Sequence, residues 1–152
     1  MPICYLTGDA TAPKIEGNKI IAHICNDVGG WGKGFVLALS KRWKEPEREF
    51  YALYKKGGCQ LEEIQLVAVE PDIWVANMVA QRDIYKKDGI PPIRYEALST
   101  CLRKLAAKAK ELRASVHMPR IGCGLAGGSW DKVVAIVEKE LEGVEVYVYD
   151  LR

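Results

Sequence analysis

The stretch Met118-Pro119-Arg120-Ile121-Gly122-Cys123-Gly124-Leu125-Ala126-Gly127-Gly128-Ser129-Trp130 decides how this chain is read. The residues from Ser115 to Ile121 are apolar and predict a strand, and helical spacing resumes at about Trp130. A glycine-rich loop between a strand and a helix presents successive backbone N–H groups, and the positive end of the helix strengthens their field. The favoured guest is an anion, phosphate above all. A second loop of this kind, Gly29-Gly30-Trp31-Gly32-Lys33-Gly34, also stands between a strand and a helix. Two such loops imply a ligand with more than one phosphate or sugar group to hold.

Working outward, Pro2 to Leu6 reads as a short strand closed by Thr7-Gly8-Asp9. Lys19 to Cys25 is a compact β-branched run suited to a strand covered on both faces. Phe35, Val36, Leu39 and Trp43 recur at helical spacing until Pro46 interrupts, and a second helical segment runs to Lys56 before Gly57-Gly58. Ile64 to Val69 and Ile73 to Val79 read as paired strands around the turn Glu70-Pro71-Asp72. Gln81 to Pro92 is polar and predicts a loop over the sheet edge. Tyr95, Leu98, Leu102, Leu105, Ala109 and Leu112 mark the clearest amphipathic helix. A helix from Trp130 to about Leu141 and a strand from Val144 to Tyr149 complete the chain. Alternation of strands and helices in the later half predicts a largely parallel sheet with helices on both faces, and the early strand pair makes it mixed. Ligands of such sheets bind beyond the carboxyl ends of the strands, where both glycine loops fall.

At 152 residues the chain is long enough for one domain burying roughly 70% of its unfolded surface. A net charge of +2, with no basic block interleaved with aromatics, argues against a nucleic-acid partner. No apolar run approaches a membrane span and none reads as a signal peptide. Five widely spaced cysteines without a C-x-x-C pair argue against a disulfide framework or a metal site, and fit a cytoplasmic protein.

Gly122, Gly124 and Gly127 match the dinucleotide-binding pattern G-x-G-x-x-G, but too little chain follows to supply the remaining strands of that fold. Cys123 as a phosphatase nucleophile would need a clamping arginine where Ser129 stands. His23, inside an apolar strand, reads as a core histidine or as a catalyst. Asn26, at that strand's end, either caps the next loop or binds a ligand hydroxyl. Asp9 can form an Asx turn, and Asp131 suits the first turn of a helix without further function. Lys33 in its glycine loop either contacts phosphate or stays solvated.

Gly8-Asp9, His23-x-x-Asn26, Gly32-x-Gly34-Phe35 and Gly122-Cys123-Gly124-Leu125-Ala126-Gly127 together resemble a macro domain, across essentially the whole chain. The resemblance implies a three-layer α/β/α fold with a central mixed sheet, as a single domain over residues 1–152. It implies ADP-ribose or a derivative as ligand, or an ADP-ribosylated protein as partner, without cofactor, metal, nucleic acid or membrane. By resemblance, Asp9 accepts a hydrogen bond from the adenine amino group, with Ala10 beside it in the binding set. Asn26 holds the distal ribose, and Gly32, Lys33, Gly34 and Phe35 close over it. The amides of Cys123, Gly124, Leu125 and Ala126, between Gly122 and Gly127, take the diphosphate.

Within the family the segments look closest to the ADP-ribose 1''-phosphate phosphatases and the terminal ADP-ribose protein glycohydrolases. The glycohydrolase lysine and aspartate are replaced here by Gln81 and Ala126, and the aspartate of the mono-ADP-ribose hydrolases by Val36. The implied activity is removal of the terminal phosphate of ADP-ribose 1''-phosphate, with His23 as candidate acid–base residue. The alternatives are a non-catalytic ADP-ribose-binding module, an O-acetyl-ADP-ribose deacylase or an ADP-ribosyl hydrolase.

Overall fold

A computed structural model describes residues 3–151. The elements run β1 (Cys4–Thr7), β2 (Lys19–Asn26), α1 (Phe35–Arg42), α2 (Glu45–Lys55), β3 (Ile64–Glu70), β4 (Ile73–Gln81), α3 (Tyr95–Leu112), β5 (Ser115–Met118), α4 (Trp130–Glu140) and β6 (Val146–Asp150). The strands form one six-stranded sheet in the order β1-β6-β5-β2-β4-β3. Every neighbouring pair is parallel except β3 and β4, which form the antiparallel edge expected from two strands joined by a turn.

β2 lies at the centre and explains its own sequence. Ile20 and Ala22 face the core with Ala76, Met78, Val116, Met118, Val146 and Val148, packed with Leu98, Leu102 and Leu105 of α3 and Val133 and Val137 of α4. Ile21 and Cys25 face the opposite core with Val75, Val79, Leu39 of α1 and Phe50 of α2. The sheet is thus sandwiched between two helical layers, as the α/β reading expects.

Several boundaries differ from the sequence expectation for local reasons. Trp43 adopts an extended conformation (φ −140°, ψ 135°) and ends α1, so Pro46 lies in the first turn of α2 rather than at the break. β5 stops at Met118, because Pro119 has no N–H to continue a ladder. β6 begins at Val146, after Gly143 (φ 83°) has turned the chain. β1 begins at Cys4; the expected start at Pro2 lies outside the described residues. Asn26 continues β2 across a register shift between Cys25 and Asn26. Residues 81–92 do not cover the sheet edge. They leave β4, an interior strand, turn at Asp88 (φ 53°) and Gly89 (φ 76°), and return to pair Ile93 with Gln81.

Candidate functional site

The segment from Gly122 to Gly128 folds back on itself between β5 and α4. The Gly128 N–H donates to the Gly122 carbonyl at 2.6 Å and the Gly127 N–H to the Gly124 carbonyl at 3.0 Å. From outside, the Ile93 N–H donates to the Ala126 carbonyl at 3.0 Å. Gly122 (φ 77°) and Gly127 (φ 74°) supply the left-handed turns at the two ends. With the carbonyls held inside, the N–H groups of Cys123, Gly124, Leu125 and Ala126 have no hydrogen-bond acceptor among the described residues. Four consecutive unpaired donors next to the N-terminus of an 11-residue helix are an arrangement whose chemistry suits an anion. Gly124 and Leu125 are exposed, Leu125 by 63%, whereas Ala126 is buried, so the tip of the loop is open to a ligand.

Arg120 braces the root of this loop. Its Nε and Nη2 donate to Asp150 Oδ1 and Oδ2 at 2.7 and 3.0 Å, tying the exit of β5 to the end of β6. The guanidinium also lies 5.2 Å from the ring centroids of both Tyr5 and Trp130.

The first glycine loop is built differently. Asn26 Oδ1 accepts from the Val28 and Gly30 N–H groups at 3.1 and 2.8 Å, and Asn26 Nδ2 donates to the Gly30 carbonyl at 2.9 Å. Asn26 is therefore the bracket of its own loop, with one amide N–H left for a ligand. The far side of the loop reaches the second one: a methyl group on Gly34 would stand 3.5 Å from Leu125 Cδ1. Gly34 (φ 82°) then opens α1, beside half-buried Phe35. Gly32 and Lys33 are exposed, and Lys33 makes no side-chain hydrogen bond or ion pair among the described residues.

Asp9 lies exposed beyond β1. Its Oδ1 accepts from the Thr11 N–H at 2.8 Å and the Thr11 hydroxyl at 2.7 Å, forming an Asx turn. Oδ2 faces Arg42 Nη2 at 3.7 Å. Partial burial pushes this carboxyl upward, but the Thr11 hydrogen bonds and Arg42 outweigh it and hold the group below its ordinary value. Ala10 beside it is buried.

The acid–base reading of His23 is conditional on its ring facing the cleft, and the surroundings of the ring are those of the alternative, a hydrogen-bonded core histidine. His23 is 2% exposed, its Nε2 is 2.6 Å from Asn77 Oδ1, and Trp31 and Phe35 pack on the ring at centroid distances of 5.3 and 6.0 Å. Burial lowers its pKa to about 4, against the opposing pull of the Asn77 hydrogen bond. An imidazole uncharged at neutral pH is not in the form of a general acid, and its one free nitrogen is in the form of a base. Cys123 is equally unsuited as a nucleophile: its Sγ lies 3.4 Å from the Ile121 carbonyl, and burial pushes the thiol up against the pull of Arg120. All five cysteines are unpaired.

One part of the site escaped the sequence reading. The 82–92 loop joins the two glycine loops: the Asp83 N–H donates to Asp27 Oδ1 at 2.7 Å, Ile84 lies against Gly30, and Pro91 against Gly127. Its signals were the Asp88-Gly89 turn and the exposed side chains of Ile84 and Tyr85, which a polar-loop reading passes over. At the two positions where the resemblance would place a lysine and an aspartate, Gln81 Nε2 donates to the Asp83 carbonyl at 2.9 Å and Ala126 offers no ionisable group.

The sequence profile described as Macro domain matches residues 22–137. The chain belongs to the macro domain family. A solved macrodomain protein of Streptomyces coelicolor shares 49% identity with this macro domain, over 98% of this chain and 99% of that one, with a TM-score of 0.88. The mouse chromodomain-helicase-DNA-binding protein 1-like is 30% identical over 97% of this chain, which spans about a sixth of that protein (17%). An ADP-ribose 1''-phosphate phosphatase of Candida albicans is 23% identical, covering 97% of this chain and 98% of the relative. Among the described residues, no helix of this macro domain is long and apolar enough to cross a membrane.

Proposed function

We propose that this macro domain binds ADP-ribose and hydrolyses the terminal phosphate of ADP-ribose 1''-phosphate. The observation that carries the reading is the row of four unpaired amides from Cys123 to Ala126, which suits a diphosphate. The Asp9 turn and the Asn26 loop offer polar groups for the adenosine and distal-sugar ends of the same ligand. Hydrolysis of a phosphate monoester needs a positioned water and charge stabilisation more than a protein nucleophile. Backbone donors and the exposed Lys33 suit that demand, whereas Gln81 and Ala126 lack the ionisable groups for a lysine- or aspartate-dependent glycohydrolase. Likeness to the Candida phosphatase over nearly the full length of both chains supports the choice of reaction.

The same lack of ionisable groups favours one second reading, a module that holds ADP-ribose without turnover. Calorimetry with ADP-ribose, AMP and ADP-ribose 1''-phosphate, run beside an assay of released phosphate, tests both. Micromolar ADP-ribose binding, much weaker AMP binding and release of phosphate are expected. Binding without release leaves the non-catalytic module, and equal affinity for AMP and ADP-ribose overturns the extended cleft.

A further inference from the structure

Four of the six residues from Gly29 to Gly34 are glycine, so this backbone has unusually many conformations to lose when it takes up one shape. Trp31 stands in the middle of the run and is 5% exposed. Its indole meets His23 edge-on at 5.3 Å and lies tilted against Phe50 of α2 at 5.4 Å between ring centroids. The indole N–H is directed as well. Nε1 donates to Ser40 Oγ of α1 at 2.8 Å, and Ser40 Oγ donates to Glu47 Oε1, in the first turn of α2, at 2.9 Å. A serine hydroxyl has a single proton and a carboxylate only accepts, so the bond to Glu47 uses that proton and turns the oxygen lone pairs toward Trp31. The relay therefore runs one way, from the loop through α1 to α2, across the break between the two helices at Trp43.

Trp31 also divides the loop. On its near side Asn26 holds Val28 and Gly30, and Gly29 lies so close to the Tyr54 ring that a methyl there would come within 2.8 Å of it. On its far side a side chain at Gly32 would meet nothing within 4 Å, and Lys33 is exposed. Trp31 is thus the last buried anchor before the open stretch that leads into α1. Packing alone needs only the ring. An indole whose N–H is aimed at an acceptor, itself oriented by a carboxylate, has its angle fixed as well as its place.

We infer that Trp31 is a positioning residue, and that the Trp31–Ser40–Glu47 relay sets the shape of the first glycine loop before any ligand arrives. The inference rests on the ADP-ribose reading of the cleft, and it gives none of the three side chains a contact with the ligand. What the relay contributes is pre-organisation: a glycine-rich segment already held in its binding shape has less freedom to lose on association. ADP has no distal sugar for this loop to meet, so loss of the relay weakens ADP-ribose selectively.

The test is calorimetry with ADP-ribose and with ADP on the wild type, Ser40→Ala, Trp31→Phe and the double variant, beside urea unfolding of each. Ser40→Ala leaves the buried indole N–H without its acceptor. It is expected to lower ADP-ribose affinity about 5- to 20-fold, the span of one lost hydrogen bond, and to keep ADP affinity within about twofold. Trp31→Phe keeps a ring in the core and removes the N–H, with at least as large a loss for ADP-ribose expected. The double variant should bind no worse than Trp31→Phe alone, because the two residues act as one unit. Glu47→Gln replaces a charged acceptor by a neutral one and is expected to cost ADP-ribose about two- to threefold, with ADP unchanged. It carries the test if Ser40→Ala fails to fold. Equal losses for both ligands overturn the inference, as do lowered urea midpoints with an unchanged ratio of ADP-ribose to ADP affinity, and Trp31 is then a core residue only. Additive losses in the double variant overturn the relay. A wild type that binds ADP-ribose no better than ADP overturns the reading of the cleft itself, and this inference with it.

Discussion

The two glycine loops look alike in sequence and spend their backbone groups in opposite ways. In the loop after β2, the Asn26 side chain takes two N–H groups and one carbonyl for itself, so that loop is internally tied. In the loop after β5, the inward hydrogen bonds use carbonyls and leave four consecutive N–H groups outside. Glycine content alone therefore does not identify an anion site. What matters is which half of each peptide group the protein has already satisfied.

Both loops stand on a buried neutral histidine, which gives the largest expected effect. His23 lies under Trp31, and His117, in the strand leading to the second loop, bonds Ser115 Oγ through Nε2 at 2.7 Å and Tyr149 Oη through Nδ1 at 2.8 Å. Burial lowers both pKa values from 6.5 to about 4, with Lys19 adding to the effect at His117. A depressed histidine pKa means that the unfolded chain binds the proton more readily. The stability is therefore complete above pH 6.5 and is lost as the pH falls toward 4, by roughly 3 kcal/mol for each ring. Urea unfolding at pH 7, 5.5 and 4 should show this decline, and a flat profile would mean that the rings are not buried neutral.

Within the second loop, Gly124 and Gly122 should separate binding from folding. A side chain at Gly124 would meet nothing within 4 Å, and its φ lies outside the left-handed region. Gly124→Val should fold normally and lose ADP-ribose affinity about 100-fold, near 3 kcal/mol, because the side chain crowds the anion. Retained affinity in calorimetry would move the ligand elsewhere. Gly122 (φ 77°) is the opposite case, since a methyl there would approach Ile93 Cδ1 to 2.5 Å. Gly122→Ala should lower stability by about 2 kcal/mol through backbone strain and crowding, seen as a lower urea midpoint. An unchanged midpoint would show that the loop can be rebuilt without its left-handed turn.

Asn26→Ala probes the tied loop and should have the smallest effect, about 1 kcal/mol of stability with an affinity loss near tenfold. Hydrogen exchange at Val28 and Gly30 should accelerate while exchange at Gly127 and Gly128, the bonded amides of the second loop, stays as it was. Equal acceleration in both loops would erase the distinction between them.

Much of this was legible in the sequence because it is local. The β-branched run of β2, the spacing of Leu98, Leu102 and Leu105, and the glycines that flank Cys123 all act within a few residues of themselves. The roles of His23 and Asn26 were not legible to the same degree. The polar partner of His23 is Asn77, 54 positions away, and the 82–92 loop is placed by its contacts with Asp27 and Gly127. Asp9 reads equally well as a turn residue or a ligand contact until Thr11 and Arg42 are seen around it. Partners distant in sequence decide these cases, and no periodicity announces them.

The most direct measurement of the central claim is a crystal structure with ADP-ribose bound. The diphosphate oxygens are expected within about 2.7–3.2 Å of the backbone nitrogens of Cys123 to Ala126, with the distal sugar between the Asn26 loop and Leu125. A diphosphate bound away from those four amides, or held only by side chains, would contradict the account.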